Sequence, residues 1–428
     1  MDALNSNATD QAKAALPSTG RDAREAPPPS SKRTSVDTWL YPPELDLDLQ
    51  GVDLPPDTIK QTLSVAWEYT RCVIPTYTNW SRYLAFCRVI VVGVIAEFCG
   101  SLVDIAATDH ILGYDLGALF EELFAGTATD CQGNTPMARE FRTFLLATAE
   151  KTTSHRRYQG EEEDSELFRR YVEALAESPR TWFRVRDADA LLRFRLAAAL
   201  TCNDVVDVWF SEEQLEVLAE VGLTLYDAVA FYKHRAEGET NDTFAYVDPG
   251  LREEAFRRAR EVLWALDAAW AGDRARLPVL NFLRPFGGPI HIMMRRYRFV
   301  EEGLRIGMPE TEEVVAQTRR NFKLWNRVDV KGPEVVGHND ASYRDAVAQE
   351  GRLLFDGLAE LLRLQDVDRE RCGQCRYKAS YGAETIGQFG GVELCRRCRQ
   401  GWGEYIQSLP RRAAEVFPEL RSTQLPTS

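Results

Sequence analysis

Apolar residues recur along this chain at intervals of three and four, the period of helices with one face against a core. The pattern predicts helices over roughly 57–74, 81–109, 116–126, 135–153, 165–177, 187–200, 212–237, 250–271, 290–306, 311–326 and 341–366. Strict apolar/polar alternation is scarce before the C-terminal cysteines, so the expected body is all-α, and no internal repeat interrupts it. Residues 1–36 are rich in Ala, Ser, Asp and Pro, include Pro27-Pro28-Pro29 and contain almost no large apolar side chains. Such a segment cannot offset the entropy lost on ordering and is expected to be disordered. The expected organisation is this tail, a helical body over 37–306, C-terminal helices over 307–366, and a small module with its tail over 367–428.

That last module carries the most specific motif. Cys372-Gly-Gln-Cys375 is followed, nineteen residues on, by Cys395-Arg-Arg-Cys398. Two CxxC knuckles at this separation match a tetrahedral structural zinc site, treble-clef or ribbon-like, with four thiolates and no position left for water. Its role is to fold the C-terminus rather than to catalyse. The chemistry must lie upstream.

Composition narrows the classes. The 428 residues are 44% hydrophobic and 27% charged, enough for a large core, and the formal charge of −13 argues against general nucleic-acid binding. Residues 369–399 alone run the other way, with seven basic and three acidic residues. Cys72, Cys87, Cys99, Cys131 and Cys202 are scattered without framework spacing, as expected of reduced thiols in a cytoplasmic protein. The greasiest stretch, Val89 to Ala96, stops at Glu97, so neither a membrane span nor a signal peptide is expected. The acidic run Glu161 to Asp164 is a solvated loop.

Polar residues inside apolar helices are the candidates for chemistry. The helix over 212–237 collects Asp227, Lys233, His234, Arg235 and Glu237, then ends at Gly238-Glu239-Thr240-Asn241. Asp227 and His234, seven apart, share a face. The helix over 81–109 carries Glu97 and Asp104 at the same separation, with Asp109 beyond. Buried carboxylates cost desolvation energy unless a cation meets them. An arginine is one such cation. Magnesium is another, and it commonly bridges carboxylates to substrate phosphates. Arg193 and Arg195, and later Arg295, Arg296 and Tyr297, add guanidinium groups whose geometry matches phosphate oxygens.

This order of parts resembles that of class I terpene synthases: an acidic apolar helix, arginines, an acidic-basic helix ending in Gly-Glu-x-Asn, then Arg-Tyr. The stretch Leu225 to Val247 is most similar to the divergent fungal α-ionylideneethane synthases of abscisic-acid biosynthesis. The resemblance, over roughly 56–306, implies a helical bundle in which farnesyl diphosphate ionises with help from Mg²⁺, rearranges as a carbocation and is deprotonated. It implies Glu97, Asp104, Asp227, Glu237 and Glu239 as magnesium ligands, and Arg193, Arg195, Lys233, Arg296 and Tyr297 as diphosphate contacts. His234 becomes a base beside Asp227, and Phe231 and Tyr232, with Phe98 and Trp209, become aromatic faces for the cation. The chain departs from the family pattern: Glu97, Asp104 and Asp109 replace Asp-Asp-x-x-Asp, and of the second metal motif only Asp227 and Lys233 match by position. Glu237 or Glu239 would replace its missing glutamate.

The alternative is a helical scaffold whose zinc finger binds DNA or a protein partner. Arg376, Lys378, Arg396, Arg397 and Arg399 surround the knuckles, as in GATA-type fingers, but the Thr-Pro-Leu-Trp-Arg-Arg core of those fingers is missing. Salt-sensitive retention on duplex DNA would favour it.

Overall fold

The computed structural model describes residues 40–127, 136–157, 166–237, 241–294, 345–362, 372–377, 383–385, 388–389 and 391–422. The expected tail over 1–36, the helix over 311–326, Glu239, Arg296 and Tyr297 lie outside them. From Trp39 onward the chain forms one compact unit, and the all-α expectation holds.

The N-terminal half is set by caps and by one fully buried helix. Pro56 opens α1 (Pro56–Val73), and the Asn79 side chain accepts the N–H of Arg82 to open α2 (Trp80–Phe98). Nearly every residue of α2 from Tyr83 to Phe98 is buried, which makes it the central helix of the body. A two-residue hairpin, β1 (His110–Ile111) with β2 (Tyr114–Asp115), leads into α3 (Leu116–Phe124). Next come α4 (Pro136–Arg157), α5 (Glu166–Glu177), α6 (Pro179–Ala190) and α7 (Leu192–Thr201). Phe120, Phe124, Phe141 and Phe194 pack ring against ring between α3, α4 and α7, mostly edge-to-face.

Two predicted helices are corrected here. The one over 81–109 ends at Phe98, because Gly100 is packed onto α4 so closely that a Cβ there would lie 2.7 Å from the Cα of Ala149. Glu97 and Asp104 are therefore not on one helix face. The one over 187–200 is two helices, broken at Leu191, which adopts φ +52°. Asp187 fixes the break by accepting both the backbone N–H and the Nε of Arg193.

The second half wraps this body. The expected helix over 212–237 is α8 (Glu212–Glu237), followed by a 3-10 turn at Thr243–Ala245, α9 (Pro249–Ala269), α10 (Leu277–Leu283) and the short α11 (Pro289–Met293). Among the described residues, the expected long helix over 341–366 is broken into short pieces: a turn of helix over 345–348, α12 (Glu350–Leu353) and α13 (Leu358–Leu361). Leu354 is extended and Gly357 sits at φ +82°, so no helix passes through.

The cysteine module follows a treble-clef order. The first knuckle leads into β3 (Arg376–Tyr377), then come β4 (Ala383–Thr385) and β5 (Gln388–Phe389), and β6 (Val392–Glu393) returns antiparallel to β3. Cys395 then stands at the N-terminus of α14 (Arg396–Gln407), which is followed by α15 (Leu409–Val416). These helices are sewn into the body. The buried Trp402 donates its Nε1–H to the Leu175 carbonyl at 3.1 Å and packs on Phe183. Arg412 reaches the buried Glu220 of α8 with two bonds of 2.7 Å, and Phe417 packs on Phe210 and Trp270.

The Gly100 contact generates a test. Gly100→Ala must push against backbone that cannot yield, so a loss of about 1–3 kcal/mol is expected by urea denaturation. Gly272→Ala, with nothing within 4 Å of its Cβ, should stay within about 0.5 kcal/mol of the parent.

Candidate functional site

Where α5, α6 and α8 meet, six charged or polar side chains are buried and interlocked. Arg186 of α6 grips Asp227 of α8 with Nη2 to Oδ1 at 2.7 Å and Nε to Oδ2 at 3.2 Å, while its Nη1 reaches Asp189 at 2.6 Å. Asp189 also accepts the Tyr171 hydroxyl at 3.0 Å and the Asn241 amide at 2.8 Å. Asp227 takes the Thr243 N–H and hydroxyl as well, at 3.0 and 2.7 Å, and Trp182 donates to that same hydroxyl. Burial alone would lower the pKa of Arg186, but Asp227, Tyr171 and Asp189 raise it well above the ordinary arginine value. Burial first, then the Asp189 carboxylate, raises Tyr171 well above its usual range, so it remains a neutral donor.

The local backbone explains this geometry. Asp242 caps the turn after α8 by accepting the Phe244 N–H, and that turn aims Thr243 at Asp227. The other Asp242 oxygen meets His234 Nδ1 at 2.7 Å, with both side chains buried. Asp227, His234 and Asp242 thus converge, with Asp227 and His234 on the shared helix face expected of them, and one ligand atom from each lies within 4.8 Å of the others. They do not fit a magnesium ion. Magnesium favours oxygen ligands and keeps several waters, whereas this triad includes a nitrogen, is fully buried, and has Asp227 committed to Arg186 and Thr243.

Other predicted site residues are engaged elsewhere. Asp104 is exposed and caps its own turn through the N–H groups of Ala106 and Ala107, and Asp109 pairs with Arg142 and Arg352. Arg193 is bound by Asp187 and Glu212 within the protein, and Arg195 donates to the Ala190 carbonyl while stacking on Tyr69. Phe231 and Tyr232 both lie under the Arg252 guanidinium, at 5.0 and 4.7 Å. Phe98 is a core residue, Trp209 packs beside Phe210, and Glu97 is half-buried on α2. The side chains of Lys233 and Glu237 lie outside the described residues.

Beside the ion pair lies a pocket that sequence reasoning missed. It is small, about 20 Å³, with room for about one water, and is walled by Ala147, Leu167, Val185, Phe355, Leu358 and Leu362. Thr143, Tyr171 and Asp189 also border it, but Thr143 is spent on the backbone of Leu353 and Phe355, and Tyr171 and Asp189 on each other and on Arg186, so the pocket is almost wholly apolar. The i,i+3 spacing of Arg186 and Asp189 on α6 was the available sequence signal.

At the C-terminal module the four Sγ atoms of Cys372, Cys375, Cys395 and Cys398 cluster within 4.8 Å. Cys372 Sγ lies 4.0 Å from that of Cys395 and 3.7 Å from that of Cys398. A tetrahedral thiolate site with metal–sulfur bonds of about 2.3 Å has edges of about 3.8 Å, so the cluster fits a metal ion. Backbone N–H groups of Gln374 and Cys375 lower Cys372 to about 7, while burial and the neighbouring sulfurs raise Cys398.

Comparison with known sequences settles the family. The sequence family described as alpha-ionylideneethane synthase aba3 matches residues 37–419. The chain belongs to this family. Alpha-ionylideneethane synthase aba3 of Botryotinia fuckeliana is 56% identical over 90% of this chain and 84% of its own length. The abl3 synthases of Leptosphaeria maculans and Pyricularia oryzae are 54% and 49% identical, again over 90% of this chain and over 86% and 83% of their own lengths. The α-ionylideneethane synthase match runs through the cysteine module, which is therefore part of the family's span. The scaffold alternative is not favoured, and α14 buries Trp402 and Ile406 against the enzyme body. Among the described residues of this synthase-family chain, no helix is long and apolar enough to cross a membrane.

The ion pair changes what Asp227 substitution should do. Asp227→Asn leaves Arg186 buried with half its countercharge and should cost about 3–5 kcal/mol, read as a lower urea midpoint. The double variant Arg186→Met/Asp227→Leu should not recover that loss, because Asp189 would be left buried without its cation. An Asp227→Asn protein with the parental midpoint would show that the pair does not hold α6 to α8.

Proposed function

We propose that this chain is a sesquiterpene synthase that converts farnesyl diphosphate to α-ionylideneethane. The reading is carried by the match of residues 37–419 to the α-ionylideneethane synthase family, on a chain whose described residues form the helical body such a cyclase needs. In the proposed reaction the C–O bond to diphosphate breaks with its electron pair, the allyl cation rearranges in a dry cavity, and loss of a proton yields the hydrocarbon, so the enzyme is a lyase that releases diphosphate. The helical walls exclude water that would otherwise capture the cation. His234, oriented by Asp242, belongs to this reading as a proton-handling group. The protein is placed in the cytoplasm, consistent with free, buried Cys72, Cys87, Cys99 and Cys202.

Asp104 and Asp227 are committed to other partners, so the magnesium that would stabilise the departing diphosphate would be held by other carboxylates. Glu97, Glu237 and Glu239 stay as its proposed ligands, and Arg296 and Tyr297, with Lys233, as the proposed diphosphate contacts. The four-cysteine site is proposed to hold zinc, whose preference for thiolate and tetrahedral geometry matches the cluster. Bound zinc would supply folding energy and no open coordination position.

Two measurements test this. Purified protein incubated with farnesyl diphosphate should release a C15 hydrocarbon detectable by gas chromatography–mass spectrometry, and an absence of product with farnesyl diphosphate would overturn the substrate assignment. Omitting Mg²⁺ should abolish the product; unchanged turnover would remove Glu97, Glu237 and Glu239 as metal ligands. Separately, Cys395→Ser should abolish zinc in elemental analysis and lower the melting temperature, and a zinc-free variant of parental stability would contradict a structural metal.

A further inference from the structure

Away from the proposed reaction, the cysteine cluster stands between solvent and a buried charge on α8. Cys372, Cys395 and Cys398 are part-exposed and Cys375 is buried, so reagents in water reach three of the four sulfurs. The described cysteines outside the cluster differ. Cys72, Cys87, Cys99 and Cys202 are buried, and burial pushes Cys72 up to about 11 and Cys87 up to about 12, which keeps both as unreactive neutral thiols. An oxidant therefore meets the cluster first.

A continuous path leads from the cluster to α8. Cys395 is the N-cap of α14 without a capping hydrogen bond from its side chain, and Cys398 lies in the first turn. Tyr405 of α14 stacks on Phe183 and carries the Arg412 guanidinium over its ring at 3.9 Å, while Arg412 donates to its hydroxyl at 3.2 Å. Arg412 covers the fully buried Glu220 with two bonds of 2.7 Å, and among the described residues it is the one cation bonded to that carboxylate. Gln214 of α8 also donates to the Val416 carbonyl at 3.0 Å. Trp402, Ile406, Leu409 and Phe417 already give this segment apolar anchors. A buried carboxylate beneath α15 adds something that packing does not: when α15 moves, Glu220 loses its cation and α8 must respond.

We propose that the cysteine module is an oxidant-sensitive switch, in which oxidation of its thiolates and loss of its metal loosen α14 and α15 and, through Arg412 and Glu220, unclasp α8. The switch rests on the zinc assigned to the cluster above. Its oxidant is a hydroperoxide. The Cys372 thiolate attacks one peroxide oxygen, the O–O bond breaks and hydroxide leaves. The Cys398 thiolate, 3.7 Å away, then attacks the sulfenic sulfur and expels a second hydroxide. Two thiolates, one hydrogen peroxide and two protons become one disulfide and two waters. The two thiolates left no longer complete a tetrahedral site, and the ion is released.

The test uses the zinc content of the full chain and hydrogen–deuterium exchange rather than turnover. Under hydrogen peroxide, a chromophoric chelator should register about one zinc per chain, and amides of α8 around Glu220 should exchange about tenfold or more faster while those of α2 stay unchanged. A thiol reductant with added zinc should restore slow exchange. Zinc release with α8 unmoved would overturn the switch, as would zinc that stays bound under peroxide. Glu220→Gln keeps an acceptor for Arg412 and removes the charge, so it should release zinc like the parent with less than about a twofold change in α8 exchange. A parental response in Glu220→Gln would overturn the link through Glu220. Protein purified without metal would overturn the zinc reading and the switch together, whereas zinc present beside an unmoved α8 overturns the switch alone.

Discussion

The bidentate bond between Arg186 and Asp227 is the contact on which the centre of this molecule depends. It ties α6 to α8 across the core, and each partner is buried deeply enough that neither is tolerable alone. Everything polar nearby is built outward from it. Thr243 and Trp182 complete Asp227, while Asp189, Tyr171 and Asn241 extend Arg186 toward the pocket. A network satisfied at this many points specifies one arrangement of α5, α6 and α8, because any shift strands a buried donor or acceptor.

A second buried pair anchors the C-terminal module in the same way. Arg412 on α15 meets Glu220, about two helical turns before Asp227 on the same α8. The cysteine cluster sets the start of α14, α14 places Trp402 on α5 and α6, and α15 delivers Arg412. The finger-like module thus braces the helices around the candidate site, and its fold and the site's integrity are coupled through packing.

Much of this was legible in the sequence, for definite reasons. Periodicity gave α1, α8 and α9 closely, since long helices with one apolar face repeat it many times over. The CxxC pairs were legible because thiolate coordination demands fixed spacing. The end of α2 was not, since it is imposed by the approach of Gly100 to Ala149, residues far apart in the chain. The break at Leu191 depends on Asp187 capturing Arg193, a side-chain choice that periodicity does not encode. Asp227 was correctly singled out as a polar residue in need of a partner. The partner turned out to be Arg186, and sequence alone does not say whether a buried carboxylate meets a metal or a guanidinium. The pocket stayed hidden because it is made by three helices and a distant extended segment at Phe355.

The central claim is that the substrate's hydrocarbon chain reacts inside the helical body that the Arg186–Asp227 pair holds together. A crystal structure with a non-ionisable C15 thiolodiphosphate analogue tests it most directly. The account predicts density for the chain among the helices of the body, with Arg186 still on Asp227. An analogue held only at the surface, or one whose binding parts Arg186 from Asp227, would contradict it.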